Sequence, residues 1–236
     1  MTTLTELQSA IQGVIQDSYY TDLMLTDRIN ALVTRIAAGV YMPNLGKLSP
    51  ALPELIDVDT VDTTTSAYTT LPTDYQRGVF LVADSNNHTL AHPRGGDYYS
   101  FRLFLKQCPE KDLSESGSVY KVCVKGNRIY YQGIPSSAET LTLHFYRKPT
   151  DMSDTTDTPD GLPDHLQTRL IKHGVCMDIY GEGIEDGEDN QGAGLKYHET
   201  KFYEAMRELV YFVGIDAEPE NIASDNDLMW MDEEVW

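Results

Sequence analysis

The stretch Ser66–Val82, SAYTTLPTDYQRGVFLV, decides how the chain divides. Its threonines, tyrosines and closing Val79–Val82 run favour extended backbone, and Leu71-Pro72-Thr73-Asp74 supplies turn chemistry between them. The reading is a short strand ending at Leu71, a turn led by Pro72, and a second strand over Gly78–Val82. Arg77 and Asp74 are its only charged side chains, so the stretch marks a fold and carries no reactive chemistry. Tyr68, Tyr75 and Val79–Val82 are expected in a β core.

Working outward, the same period of two continues on both sides. Upstream, Ile56, Val58 and Thr60 alternate with Asp57, Asp59 and Asp62, the pattern of a half-exposed strand. Downstream, Asn86-Asn87 fits a hairpin turn between Val79–Ala83 and Thr89–Ala91, and Tyr98–Leu105 reads as a strand with Phe101, Leu103 and Leu105 on one side. Val119–Val124 and Arg128–Gln132 flank Lys125-Gly126-Asn127, the clearest hairpin in the chain. Thr140–Arg147 alternates Leu141, Leu143 and Phe145 with Thr142, His144 and Tyr146. Six or seven strands with no helix between them predict an antiparallel sandwich or barrel-like domain over 56–150.

The flanks have a period of 3.6. Thr3 and Glu6 form a capping-box pattern ahead of Leu4, Leu7, Ile11, Val14 and Ile15, which predicts a helix over 4–16. A second helix is expected from about Asp22 to Ala38, capped by Asp22 or Thr26 and ended at Gly39. Residues 43–55, with three prolines, read as an irregular connector. After the Asp-rich linker 149–161, Pro163 opens a third helix to about Tyr180. GEGIEDGEDNQGAG (181–194) reads as an exposed loop. Leu195, Phe202, Met206, Leu209 and Val213 make a fourth helix that stops at Gly214. The fold class is therefore α+β. Helices at the two ends (1–55 and 151–214) form one bundle, the β domain is inserted, and residues 215–236 form an extended acidic arm.

Composition narrows the function. Across 236 residues the net charge is −19, and residues 151–236 hold twenty-two of the thirty-seven acidic side chains against five basic ones. A nucleic-acid reader needs a basic stripe to displace phosphate counterions, so that class is disfavoured. No apolar run is long enough to span a bilayer, so no membrane partner is expected. Cys108, Cys123 and Cys176 have no metal or redox spacing and read as reduced thiols. Asp186, Glu188 and Asn190 copy the start of a calcium loop, but Gln191 and Tyr197 stand where the turn glycine and the bidentate glutamate belong. Asp151, Asp154, Asp157 and Asp160 read as turn formers. His88, His92, His144, His165, His173 and His198 form no ligand motif. No catalytic residue, metal or cofactor is expected. Both tryptophans, Trp230 and Trp236, fall in the last seven residues beside Leu228, Met229 and Val235, where interface anchors are expected ahead of packing back on the chain's own domain or a free tail.

Several pieces in order carry a resemblance. They are TDRINALVTRIAAGV (26–40), YTTLPTDY (68–75), Gly126-Asn127-Arg128-Ile129-Tyr130, Leu141–Tyr146 ending at Lys148-Pro149, Leu162-Pro163, and YHETKFYEAMRELV (197–210). Over roughly 20–214 the sequence resembles the head-to-tail adaptors of tailed bacteriophages, the tail-accessory or head-completion type of short-tailed phages. The resemblance implies a virion protein assembled in the host cytoplasm. It would form a ring, commonly dodecameric, beneath the portal protein, extend the DNA channel, and dock tail nozzle, tube or fibre proteins. Double-stranded DNA would pass without specific binding, repelled by the carboxylates. Leu228, Met229, Trp230, Val235 and Trp236 would then bind the portal or a neighbouring subunit, and Arg77 is the candidate subunit contact in the opening stretch. A virion-associated cell-wall hydrolase and a monomeric binding module are the alternatives.

Overall fold

The computed structural model describes residues 1–43, 46–90, 97–108, 113–185 and 192–214. It divides into two units. One comprises Met1–Leu55 with the described residues from Lys148 onward, and the other comprises Ile56–Arg147.

The first unit is a helical bundle. Helix α1 (Leu4–Ile15) starts at the Thr3–Glu6 capping box, in which each side chain accepts from the other residue's backbone N–H. Helix α2 (Asp22–Ala38) is capped one residue earlier than expected, by Thr21, whose hydroxyl accepts from the Met24 N–H. Thr26 instead donates to the Asp22 carbonyl within the helix. The connector after α2 is not wholly irregular, because Tyr41–Met42 (β1) and Lys47–Leu48 (β2) pair as a short hairpin. A single 3-10 turn follows at Pro53–Leu55.

Helices α4 (Asp164–Glu185) and α5 (Gly192–Val213) are longer than their apolar stripes suggest. The segment 181–194 is therefore not all loop. Its first five and last three residues are helical, and 186–191 lie outside the described residues. Two contacts account for the extension. Glu182 is held by Arg28 of α2, and Gly194 of α5 packs against the ring of Tyr180. Gly174 sits closer still to its neighbours: a Cβ there would lie 2.5 Å from a Leu32 methyl and 3.1 Å from Phe202, so its absence lets α2 and α5 close on α4. One core results, with Leu7, Ile11, Leu25, Ile29, Leu170, Ile171 and Phe202 fully buried.

The second unit holds two three-stranded antiparallel sheets. The first has the order β3 (Ile56–Asp62), β8 (Thr140–Arg147), β5 (Tyr75–Ala83), and the second β4 (Tyr68–Thr70), β7 (Arg128–Gln132), β6 (Lys121–Lys125). Leu141, Leu143 and Phe145 from the first sheet share one core with Val122, Ile129 and Tyr131 from the second, which makes a small sandwich. Leu71–Asp74 therefore does more than reverse the chain: it carries it from one sheet to the other. Strand β5 begins at Tyr75, earlier than expected, and is bulged against β8 around Gly78, whose φ is +54°. The β6–β7 turn places Gly126 at φ +60° as its first residue, while Asn127 stays out of the positive region, as in a type II′ turn.

A further expectation is overturned. Tyr98–Leu105 is not a strand; Asp97–Gln107 is a helix, α3. Phe101, Leu103 and Leu105 do alternate, but Phe101, Phe104, Leu105 and Cys108 also recur at helical spacing, and this second set makes the contacts. Phe104 and Cys108 are buried against Cys123 of β6, with Phe101 packed on Tyr130 of β7, while Leu103 is exposed. The strands are thus interrupted by a helix that covers part of the outer face of the second sheet.

Candidate functional site

The helices of the bundle are locked in order by ion pairs on its surface. Arg28 donates to both Glu182 oxygens, at 2.9 and 2.6 Å, and Arg35 reaches Asp178 at 2.9 Å, tying α2 to α4. Arg169 and Glu208 tie α4 to α5 at 2.5 Å. The Arg28 hydrogen bonds hold the Glu182 carboxyl below its ordinary range and raise the guanidinium above its own. These groups are half-exposed, so each pair contributes at most about 1 kcal/mol, and their role is alignment.

Where α5 ends, the surface turns apolar. Tyr211 and Phe212 are exposed, and the Phe212 ring lies 5.1 Å from that of His165 at the start of α4. The Met1 ammonium reaches Asp164 at 3.6 Å, which brings the exposed Met1 side chain to the same end. An apolar, aromatic end suits contact with another protein. It is also the end from which the chain leaves toward 215–236.

Inside the bundle lies a buried polar pair that the sequence did not reveal. His173 of α4 and His198 of α5 meet Nδ1 to Nδ1 at 2.9 Å, with Tyr180 stacked on His198 and Tyr197 edge-on to both rings. One imidazole donates and the other accepts, so the accepting ring is neutral. Burial, then the partner imidazole and Lys172, Arg169 and Lys201, press the His173 pKa down to about 4, and burial with Lys172 lowers that of His198. Each histidine could be assigned to a buried helix face from its spacing to Leu170 or Phe202. Their pairing depends on helix alignment, which spacing does not give.

The outer face of the β4–β7–β6 sheet gathers aromatic and basic groups. Tyr68 and Tyr130 are cross-strand partners with rings 5.6 Å apart, and the Arg128 guanidinium lies 4.3 Å over the Tyr68 ring. Lys125 pairs with Arg128 across the hairpin, and Lys121 donates to Gln107 of α3. Elsewhere in this unit, an open hollow of about 380 Å³ has Thr65, Ser116, Ser118, Ser136 and Ser137 among its lining residues. Glu139, the one carboxylate in its lining, accepts from the Val119 N–H.

The residues singled out in the sequence are scattered. Arg77 is partly buried on β5, at the register shift opposite Tyr146. Leu228, Met229, Trp230, Val235 and Trp236 lie outside the described residues, as do Asp186, Glu188, Asn190 and His92. The linker aspartates do form turns: Asp157 accepts from the Ser153 and Asp154 N–H groups, which lowers its pKa, and Asp160 accepts from that of Thr150. All three cysteines are buried and none is in a disulfide, and burial pushes Cys176 up to about 12. Among the described residues no three His, Cys, Asp or Glu side chains converge as metal ligands, and no helix is long and apolar enough to cross a membrane.

Comparison with known proteins supplies what the geometry leaves open. A family model described as SU10 adaptor protein matches residues 2–225. The match takes in both helical flanks, the β unit and the acidic segment 181–194. No curated protein matches the chain.

Proposed function

Because the chain belongs to the SU10 adaptor protein family, a phage structural family, we propose that it forms a ring, of about twelve copies, beneath the portal. There it extends the DNA channel and offers a platform to tail nozzle, tube or fibre proteins. The observation that carries this reading is the family match over nearly the whole chain. The bundle surface, stiffened by ion pairs and ending in exposed Met1, Tyr211 and Phe212, is the part we assign to the portal and to neighbouring copies. The β unit is assigned to the tail side.

The four pieces 1–55, 56–150, 151–214 and 215–236 divide the work in this account: bundle, tail-facing module, bundle completion and arm. Leu228, Met229, Trp230, Val235 and Trp236 anchor the arm on the portal or a neighbouring copy, and Arg77 serves as a contact between copies. The net charge of −19 suits a channel through which DNA phosphates pass without binding. Assembly takes place in the host cytoplasm and the product is a virion component. The test is to delete the residues after Asp225. Portal binding is then lost while circular dichroism and thermal midpoint stay unchanged, whereas undiminished attachment counts against the arm.

A further inference from the structure

We propose that the basic, aromatic outer face of the β4–β7–β6 sheet receives the C-terminal segment 215–236 of a neighbouring copy of the chain. This rests on the ring-forming adaptor reading and names the surface through which the arm acts.

The first argument is charge. The described part of Ile56–Arg147 has seven basic side chains. Three of them, Lys121, Lys125 and Arg128, stand on this face, and Arg102 and Lys106 are exposed on α3, which lies over it. Glu115, bonded to Tyr120 and Gln132, closes the far end. In a chain of net charge −19 this is a local reversal of sign. Its complement is residues 215–236, which carry eight acidic and no basic side chains. Complementary surfaces of this kind raise encounter rates and select partners.

The second argument is the type of side chain. At the hairpin end, Arg128 lies over Tyr68, and Tyr130 continues the aromatic row to Phe101 of α3. Tryptophan, tyrosine and arginine are the residues on which interface energy concentrates. The segment brings both tryptophans of the chain, flanked by Leu228, Met229 and Val235. Acids meet the cations while indoles meet the tyrosine row.

The third argument is geometry between copies. Thirteen residues separate Gly214 from Leu228, a reach of up to about 50 Å when extended, more than the ~30 Å breadth of a small domain. Docking within one chain would leave strongly acidic copies facing each other. Docking between copies joins two different surfaces head to tail, the heterologous kind of contact from which a ring is built when the rotation between copies closes.

The test uses the full chain and its own fluorescence, because both tryptophans lie in the segment. Emission, acrylamide quenching and mass are followed together over a dilution series. We expect a blue shift and reduced quenching that grow with protein concentration and track the rise in mass. Lys125→Glu with Arg128→Glu raises the midpoint concentration by about tenfold or more, as the loss of two cationic contacts implies. Adding Asp225→Lys and Asp227→Lys restores it. A shift independent of concentration, no shift at any concentration, or a double variant that behaves as the parent overturns the inference. The same variants imaged with portal separate the two levels. Rings that form identically with Glu at both positions overturn the docking face alone, while no ring from the parent chain overturns the adaptor reading beneath it.

Discussion

His173 and His198 share one hydrogen bond, Nδ1 to Nδ1 at 2.9 Å, between the two longest helices of the bundle. It exists only while at least one imidazole is neutral. Both folded pKa values are lowered, that of His173 to about 4, so below the ordinary histidine pKa the unfolded chain binds more protons than the folded one. Stability is full above about pH 6.5 and falls as pH drops toward 4, by up to ~1.4 kcal/mol per pH unit from His173, with His198 acting in the same direction. Urea titrations from pH 7.5 to 4.5 measure that slope. His173→Gln reduces it; a slope unchanged by the substitution would mean the pair does not titrate with folding.

Gly133 has φ +79°, and a Cβ on it would run into the Ser118 carbonyl. Backbone cannot swing aside as a side-chain end can. Gly133→Ala therefore costs about 2–4 kcal/mol, from backbone strain and overpacking together. Gly126→Ala, at φ +60° with open space around it, costs only about 1 kcal/mol of strain. Thermal unfolding of the two variants checks the order.

Helix α3 makes a sharp contrast of neighbours. Phe104 is fully buried and Leu103 is exposed. Phe104→Ala destabilises by about 3–5 kcal/mol, and Leu103→Ala changes stability by about 0.5 kcal/mol or less. Were 98–105 a strand with 101, 103 and 105 inward, the order would reverse.

That contrast shows where the sequence was readable. Helix α1 was legible because cap and stripe agree, Thr3 and Glu6, then Leu7 and Ile11, and α2 from its stripe of Leu25, Ile29, Leu32, Val33 and Ile36, although Thr21 caps it. Strand β8 was legible because Leu141, Leu143 and Phe145 all face one core. Residues 98–105 satisfy two periods at once, and only contact with Cys123 and Tyr130 selects the helix. Residues 181–185 and 192–194 look like loop because glycine and acid are poor interior choices, yet Arg28 and Tyr180 supply tertiary reasons for helix there. Leu71–Asp74 announces a turn, but no local signal says that the strands on either side join different sheets. The surface at Tyr68 and Arg128 was equally hidden, since it depends on the pairing of β4 with β7.

Arg28 joins α2 to the last turns of α4 and lies 5.4 Å from the Tyr20 ring. Removing it costs little globally, about 0.5–1 kcal/mol. Its local effect is larger in kind: in Arg28→Ala, amide hydrogen exchange quickens over 181–185 and stays unchanged over 166–175. Uniform exchange along α4 would contradict the account of why the helix extends past Tyr180.

The central claim is that the chain assembles as a ring at the portal. Electron microscopy of the purified protein mixed with its portal tests it most directly. The account predicts a closed ring of about twelve copies on one end of the portal, coaxial with its channel. A portal that remains bare, with the protein still monomeric by mass, would contradict it.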